Sequence, residues 1–290
     1  MRAFAYVRPG GADEAADRLS AGARAMAGGT DLLPQLDRGI RPAEAVVDLR
    51  PLGLDGIAHE DGGVRIGATT RVADVERDAG VADRFAVLAQ AAAAVGSPQL
   101  REMGTVGGNL CQQVRCWYFR HPDLQCWLRG GDTCYAQIGD HRKHGLEPGD
   151  CISVAPSDLA AAFVALDATV ETNRRALPIL DLYRKATAEN RSTLTLQPGE
   201  FVTAVDAPRA PDASAYVAIG ERAAWSFALV GVAAARFGGE VRMAAIGVSN
   251  LPRLLDPTDP LAGLPGLDMT RWKRRLLQTL AADAQAAVGA

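Results

Sequence analysis

Five cysteines fall between residues 111 and 151, and the 290-residue chain has none elsewhere. The stretch, with RCWYFRHPDLQCWLRGGDTCYAQIG at its centre, has little hydrophobic periodicity and is crowded with Gly, Pro, Asp and His. A connection that long inside a compact domain carries function or is disordered. Its aromatic content argues against disorder. Something other than a hydrophobic core must hold it. In a reducing compartment, clustered cysteines serve as metal ligands or catalytic thiols more often than as disulfides, and an odd count leaves at least one unpaired.

The length suits two modest domains, and the composition, 48% hydrophobic and 22% charged, is that of a globular chain. A formal net charge of −3 with no long basic run leaves no electrostatic footprint for nucleic acid. The apolar runs AVLAQAAAAVG and FALVGVAAARF are too short and Ala-rich to span a bilayer. The N-terminal MRAFAYVRPGGADEAADRL has no apolar signal core. The expected location is the cytoplasm, with export alongside a signal-bearing partner left open.

Short elements alternate through the first third. AFAYVRP predicts a strand, GADEAADRLSAG a helix, AEAVVDLR a buried strand and IAHEDGGVRIGATT a hairpin turning at Asp61-Gly62-Gly63. RVADVERD and RFAVLAQAAAAVG read as helices, the second buried. SPQLREMGTVGGNL reads as mostly loop, and PSDLAAAFVALDATVET as helix then strand. AYVAIG, ALVGVAAARFG and EVRMAAIGVSN predict a three-stranded antiparallel meander, closed by the helix MTRWKRRLLQTLAADAQAAV. The fold class is α+β, with a division near residue 172 into 1–172 and 173–290.

Two glycine turns stand out. AGGTDLL follows a strand and opens a helix that Thr30 or Asp31 can cap. Its backbone N–H groups and helix N-terminus can face an anion. MGTVGGN supplies three more glycines with Thr105 and Asn109. Neither matches a Walker or Rossmann fingerprint, and each alone reads as an ordinary tight turn. Together they point to a dinucleotide whose pyrophosphate lies across two loops.

In their order and separations, AGGTDLLPQL, REMGTVGGNLCQ and PSDLAAAFVALDATV resemble the medium, FAD-binding subunit of molybdenum hydroxylases. The later FALVGVAAARF and RMAAIGVSN resemble that subunit's C-terminal domain, so the likeness covers nearly the whole chain. It implies a two-part FAD-binding domain followed by a C-terminal flavoprotein domain. It implies that Met26, Ala27, Gly28, Gly29, Thr30, Asp31 and Leu32 hold the FAD pyrophosphate. Thr105, Gly107, Gly108 and Asn109 would form the second flavin loop, and Asp158 would hydrogen-bond near the flavin. Capping the helix LAAAFVAL is the plainer role for Asp158. Where many relatives carry a basic residue beside the flavin, this chain has Ala218 and Gly220, with Arg222 the nearest base.

The cysteine stretch, an insert over about 112–151, resembles a subset that includes 4-hydroxybenzoyl-CoA reductase and some bacterial aldehyde oxidoreductases. That likeness implies a [4Fe-4S] cluster on Cys116, Cys126, Cys134 and Cys151, with nine, seven and sixteen intervening residues. A cluster would cross-link a loop expected to have no core of its own, and Trp117, Tyr118, Phe119 and Trp127 would shield it. Cys111 is the odd one out, read as a small buried hydrophobe. Spacing alone does not identify iron, and a zinc staple remains the alternative. His141 and His144 could replace a thiolate there or simply be solvated. Because both glycine loops precede the insert, flavin is expected to survive loss of the cluster.

No catalytic constellation has a sequence signature, as expected where cofactors carry the chemistry. The resemblance implies a large molybdenum-cofactor subunit and a small [2Fe-2S] subunit as partners, in a dimer of heterotrimers, with a ferredoxin or another carrier as external electron partner. The competing expectation is a structural or adaptor subunit with a zinc-stapled loop and no functional flavin.

Overall fold

A computed structural model describes residues 2–222 and 225–289. Three sheets follow one another along the chain. The first is parallel, in the order β1-β3-β2: β1 (Ala5–Val7), β2 (Arg24–Met26) and β3 (Ala45–Asp48). Parallel neighbours need crossovers; α1 (Ala12–Ser20) and α2 (Leu32–Asp37) provide them. The core here is slight, built on Ala15, Val47, Leu49 and Phe201.

The second sheet is antiparallel, in the order β4-β5-β8-β6-β7. Its strands are β4 (Ile57–Ala58), β5 (Val64–Gly67), β6 (Thr169–Thr172), β7 (Ala176–Pro178) and β8 (Val202–Ala207). Between β5 and β6 run α3 (Val72–Arg77), α4 (Ala79–Arg84), α5 (Ala86–Ala94), α6 (Pro98–Met103), α7 (Val106–Leu110), the cysteine loop with α8 (Tyr135–Ile138), and α9 (Asp158–Ala165). The third sheet, in the order β12-β11-β10-β9, comprises β9 (Ala213–Gly220), β10 (Ala228–Phe237), β11 (Glu240–Ile246) and β12 (Arg253–Leu255); α10 (Trp272–Ala287) follows.

Alternation in β10 shows how the third sheet is covered on both faces. Ala233 and Ala235 join a core with Val87, Leu88 and Ala91 of α5 and the wholly buried α9. Val230, Val232 and Ala234, on the other face, meet Leu277, Leu280, Ala281 and Ala284 of α10. Small side chains at these strand positions leave room for helices on each side.

Four expectations change. The third sheet has a fourth strand, β12, beside the expected three. SPQLREMGTVGGNL is not mostly loop but two short helices, capped by Ser97 (Oγ 3.4 Å from Leu100 N) and Thr105 (Oγ1 3.3 Å from Gly108 N). A cut near residue 172 would part β6 from its hydrogen-bonded neighbour β8; the chain passes to the third sheet only between Ala207 and Ala213. The cysteine loop has a small apolar cluster of its own, Val114, Phe119 and Cys126 packed on Ile40. Among the described residues no helix is long and apolar enough to cross a membrane.

Candidate functional site

The turn after β2 carries the first glycine pair. Gly29 has φ +73°, where a side chain is strained. A Cβ on Gly28 would lie 1.7 Å from the Met103 carbonyl oxygen, so this turn presses directly on the end of α6. The second loop is fixed from beneath: Val106 N–H donates to Thr70 O and Gly107 N–H to Ala68 O, at 2.9 and 2.8 Å. Between the two loops opens a cavity of about 700 Å³, within the range of small-molecule and cofactor sites.

Met26 to Leu32, Thr105 and Gly108 line this cavity. Gly107 instead packs on Ala68, and buried Asn109 accepts the Ser157 hydroxyl at 2.6 Å, so these two shape the loop from behind. Arg24, Arg41, Arg129 and Arg191 also line it. Burial, with Arg24 close by, pulls the Arg41 pKa down to about 10, and buried Arg24 Nε has no hydrogen-bond partner among the described residues. Cations held this way favour an anionic occupant.

Asp31 does not cap α2 with its side chain. Its Oδ1 faces Arg120 at 2.8 Å and Arg115 at 3.0 Å, while Oδ2 accepts from Gln113 N at 2.8 Å and Gln35 Nε2 at 2.9 Å. Arg115 and Arg120 bracket Cys116, so the first glycine turn is tied to the start of the cysteine loop. Phe119, Leu128 and Arg129 of that loop also wall the cavity. The cavity and the insert therefore share a wall.

Asp158 lies apart from the glycine turns, on a second cavity of about 690 Å³ with Arg101, Ala218, Gly220, Arg222 and Trp225. Capping of α9 belongs to Ser157, whose Oγ is 3.1 Å from Ala160 N. Asp158 instead accepts the buried Tyr216 hydroxyl at 2.6 Å. Burial raises its pKa to about 6, against the lowering effect of that hydrogen bond.

Cys116, Cys126, Cys134 and Cys151 line one small void, enclosed by Val114, Tyr118, Phe119, Trp127, Leu128 and Tyr135. Cys111 is outside it, on the larger cavity beside the second glycine loop. Burial raises the pKa of Cys111 and Cys116 to about 12 and also raises those of Cys126 and Cys151. His144 is not solvated but 3% exposed, with Nε2 3.2 Å from Cys116 Sγ. His141 stays partly exposed and accepts from Met269 N at 3.4 Å. Among the described residues no group of three or more His, Cys, Asp or Glu is placed to hold a single metal ion.

The model of the FAD binding domain in molybdopterin dehydrogenase matches residues 2–210. The chain belongs to that family. It is 37% identical over 274 residues to the aldehyde oxidoreductase FAD-binding subunit PaoB of Escherichia coli (strain K12), covering 89% of this chain and 86% of that protein. To the carbon monoxide dehydrogenase medium chain of Afipia carboxidovorans it is 28% identical, over 86% of this chain and 74% of the other. Solved structures share the fold. Carbon monoxide dehydrogenase from Hydrogenophaga pseudoflava lacking the Mo-pyranopterin moiety superposes with TM-score 0.75 at 20% identity, over 99% and 97% of the two chains. Quinoline 2-oxidoreductase from Pseudomonas putida 86 gives 0.65 at 21%, over 97% and 86%.

As a flavoprotein component of molybdenum hydroxylase-type oxidoreductases, the chain binds FAD. The larger cavity fits that cofactor in its two glycine walls and its excess of cations. Reading the motifs alone missed the residues that join the parts. Arg115 and Arg120 reach Asp31, and Arg191 Nη1 holds the Trp127 and Gly131 carbonyls at 2.8 and 2.7 Å. Buried Lys273 of α10 reaches the His144 carbonyl at 3.0 Å. The one visible signal was the pair of arginines flanking CWYF; Arg191 and Lys273 are far away in sequence and carry none.

Proposed function

We propose that this chain is the FAD- and [4Fe-4S]-carrying electron-transfer subunit of a multi-subunit molybdenum-containing oxidoreductase. It would pass electrons between [2Fe-2S] and molybdenum subunits and an external acceptor or donor. The observation that supports this most is the placing of Cys116, Cys126, Cys134 and Cys151 around one void, with Cys111 outside it and the flavin cavity sharing a wall with the same loop. When bound, FAD exchanges electrons in pairs or singly and the cluster carries them one at a time. In this reading Met26 to Leu32, Thr105 and Gly108 present backbone to the pyrophosphate, backed by Gly107 and Asn109. Asp158 and the second cavity serve the flavin's surroundings, with Arg222 and Arg101 the bases on a wall where Ala218 and Gly220 stand.

A zinc staple would need four donors in one tetrahedral shell. The test is iron and sulfide analysis of anaerobically purified protein, about four irons being expected. Ser at any of Cys116, Cys126, Cys134 or Cys151 should lose the cluster, whereas Cys111→Ser should keep it. Zinc in place of iron, or dependence on Cys111 but not Cys151, would overturn the assignment. The partners in this reading are a large molybdenum-cofactor subunit and a small [2Fe-2S] subunit in a dimer of heterotrimers, in the cytoplasm. Co-purification from the native host tests that assembly, and recovery as a lone active oxidase counts against it.

A further inference from the structure

His144 is buried, 28 residues from Cys116 in sequence and 3.2 Å from its sulfur through Nε2. Nδ1 is also buried, and the His141 carbonyl is the backbone group that acts on the ring. A ligating thiolate carries no proton, so the nitrogen that meets the Cys116 sulfur at this distance is the one that bears the ring proton, Nε2. The ring is held from two sides. The Trp117 ring meets it edge-on at 4.9 Å, and the His144 carbonyl accepts from Lys273 Nζ at 3.0 Å. Lys273 also donates to the carbonyls of Gly247 and Lys143, so α10 and the end of β11 fix the segment that carries the imidazole.

We infer that His144 is a positioning residue that donates a hydrogen bond to the Cys116 thiolate and holds the cluster at a higher reduction potential than the four cysteines alone would set. This rests on Cys116 being a cluster ligand. The reduced cluster carries the greater negative charge on its sulfurs, so an N–H aimed at one of them stabilises that state.

Two measurements on the full chain test it. In protein carrying 15N-labelled histidine, pulsed EPR of the reduced cluster should detect one coupled imidazole nitrogen, and its absence overturns the inference. The second is an EPR-monitored redox titration of His144→Phe, which keeps the ring volume but has no donor. It should retain iron and sulfide while the midpoint falls, a tenfold loss in the reduction equilibrium being about 59 mV for one electron. His144→Gln, which keeps an N–H, should lie nearer the parent. Full iron with an unchanged midpoint in His144→Phe overturns the inference. Should that variant lose its iron, the isotope measurement on the unmutated protein decides. Iron-free parent protein would instead remove the cluster reading, and this inference with it.

Discussion

Asp158 is buried, the Tyr216 hydroxyl and its own backbone N–H offset that burial only in part, and its pKa rises from 3.8 to about 6. The folded state therefore binds this proton more tightly than the unfolded chain. Its contribution to stability is full below about pH 3.8 and is lost as pH rises through about 6. Asp158→Asn keeps an acceptor for Tyr216 without the charge. Thermal unfolding should show the variant gaining on the parent between pH 4 and pH 7, by about 1–3 kcal/mol. A difference that does not vary with pH would speak against the buried, titrating carboxyl. The Asp31 carboxylate is paired with Arg115 and Arg120. Asp31→Asn should cost about 1–3 kcal/mol, the scale of charge-assisted hydrogen bonds. It should also expose the 112–131 segment to protease; unchanged cleavage would show that the loop holds without this tie.

Among the elements, the two glycine loops are the most sharply constrained. Gly28→Ala would drive a Cβ onto the Met103 carbonyl, and backbone cannot yield as a side-chain tip can. The variant should lose flavin and unfold at lower temperature. Gly108→Ala meets only Thr105 Oγ1, at 2.9 Å, and should be far milder in both assays. Equal loss from the two would mean that contact between the loops is not what matters. Thr105→Ala removes the α7 cap and should cost about 1 kcal/mol. The strands β1 to β6 and β9 to β11, with α1, α5, α9 and α10, were legible because period and composition mark them locally, whereas the short β7 and β12 and the later β8 were not foreseen. The helices α6 and α7 were not, being a turn or two long, although Ser-Pro and Thr at their starts are cap signals. The glycine walls of the cavity could be read from their motifs. Its cationic lining could not, because Arg41, Arg129 and Arg191 are brought together only by the fold.

For the whole molecule, the insert is less an appendage than a joint. Its start is fixed to the first glycine turn through Asp31. Its end pairs with the strand exit of the third sheet, where Leu146 N–H donates to Val248 O at 2.7 Å and Ala155 N–H to Ser249 O at 2.7 Å. Arg115 adds a third tie, with its guanidinium 4.1 Å from the centre of the Phe227 ring. The chain thus uses one segment to bridge its first and third sheets. Phe119, Leu128 and Arg129 meanwhile stand in the wall of the larger cavity. This shared wall has a consequence for the living cell. If the cysteine void holds the proposed cluster, cultures starved of iron should yield a protein that is not only less brown but also less yellow, because a slack wall grips its riboflavin-derived pigment poorly. A nutrient shortage confined to one metal would then appear as the loss of two colours.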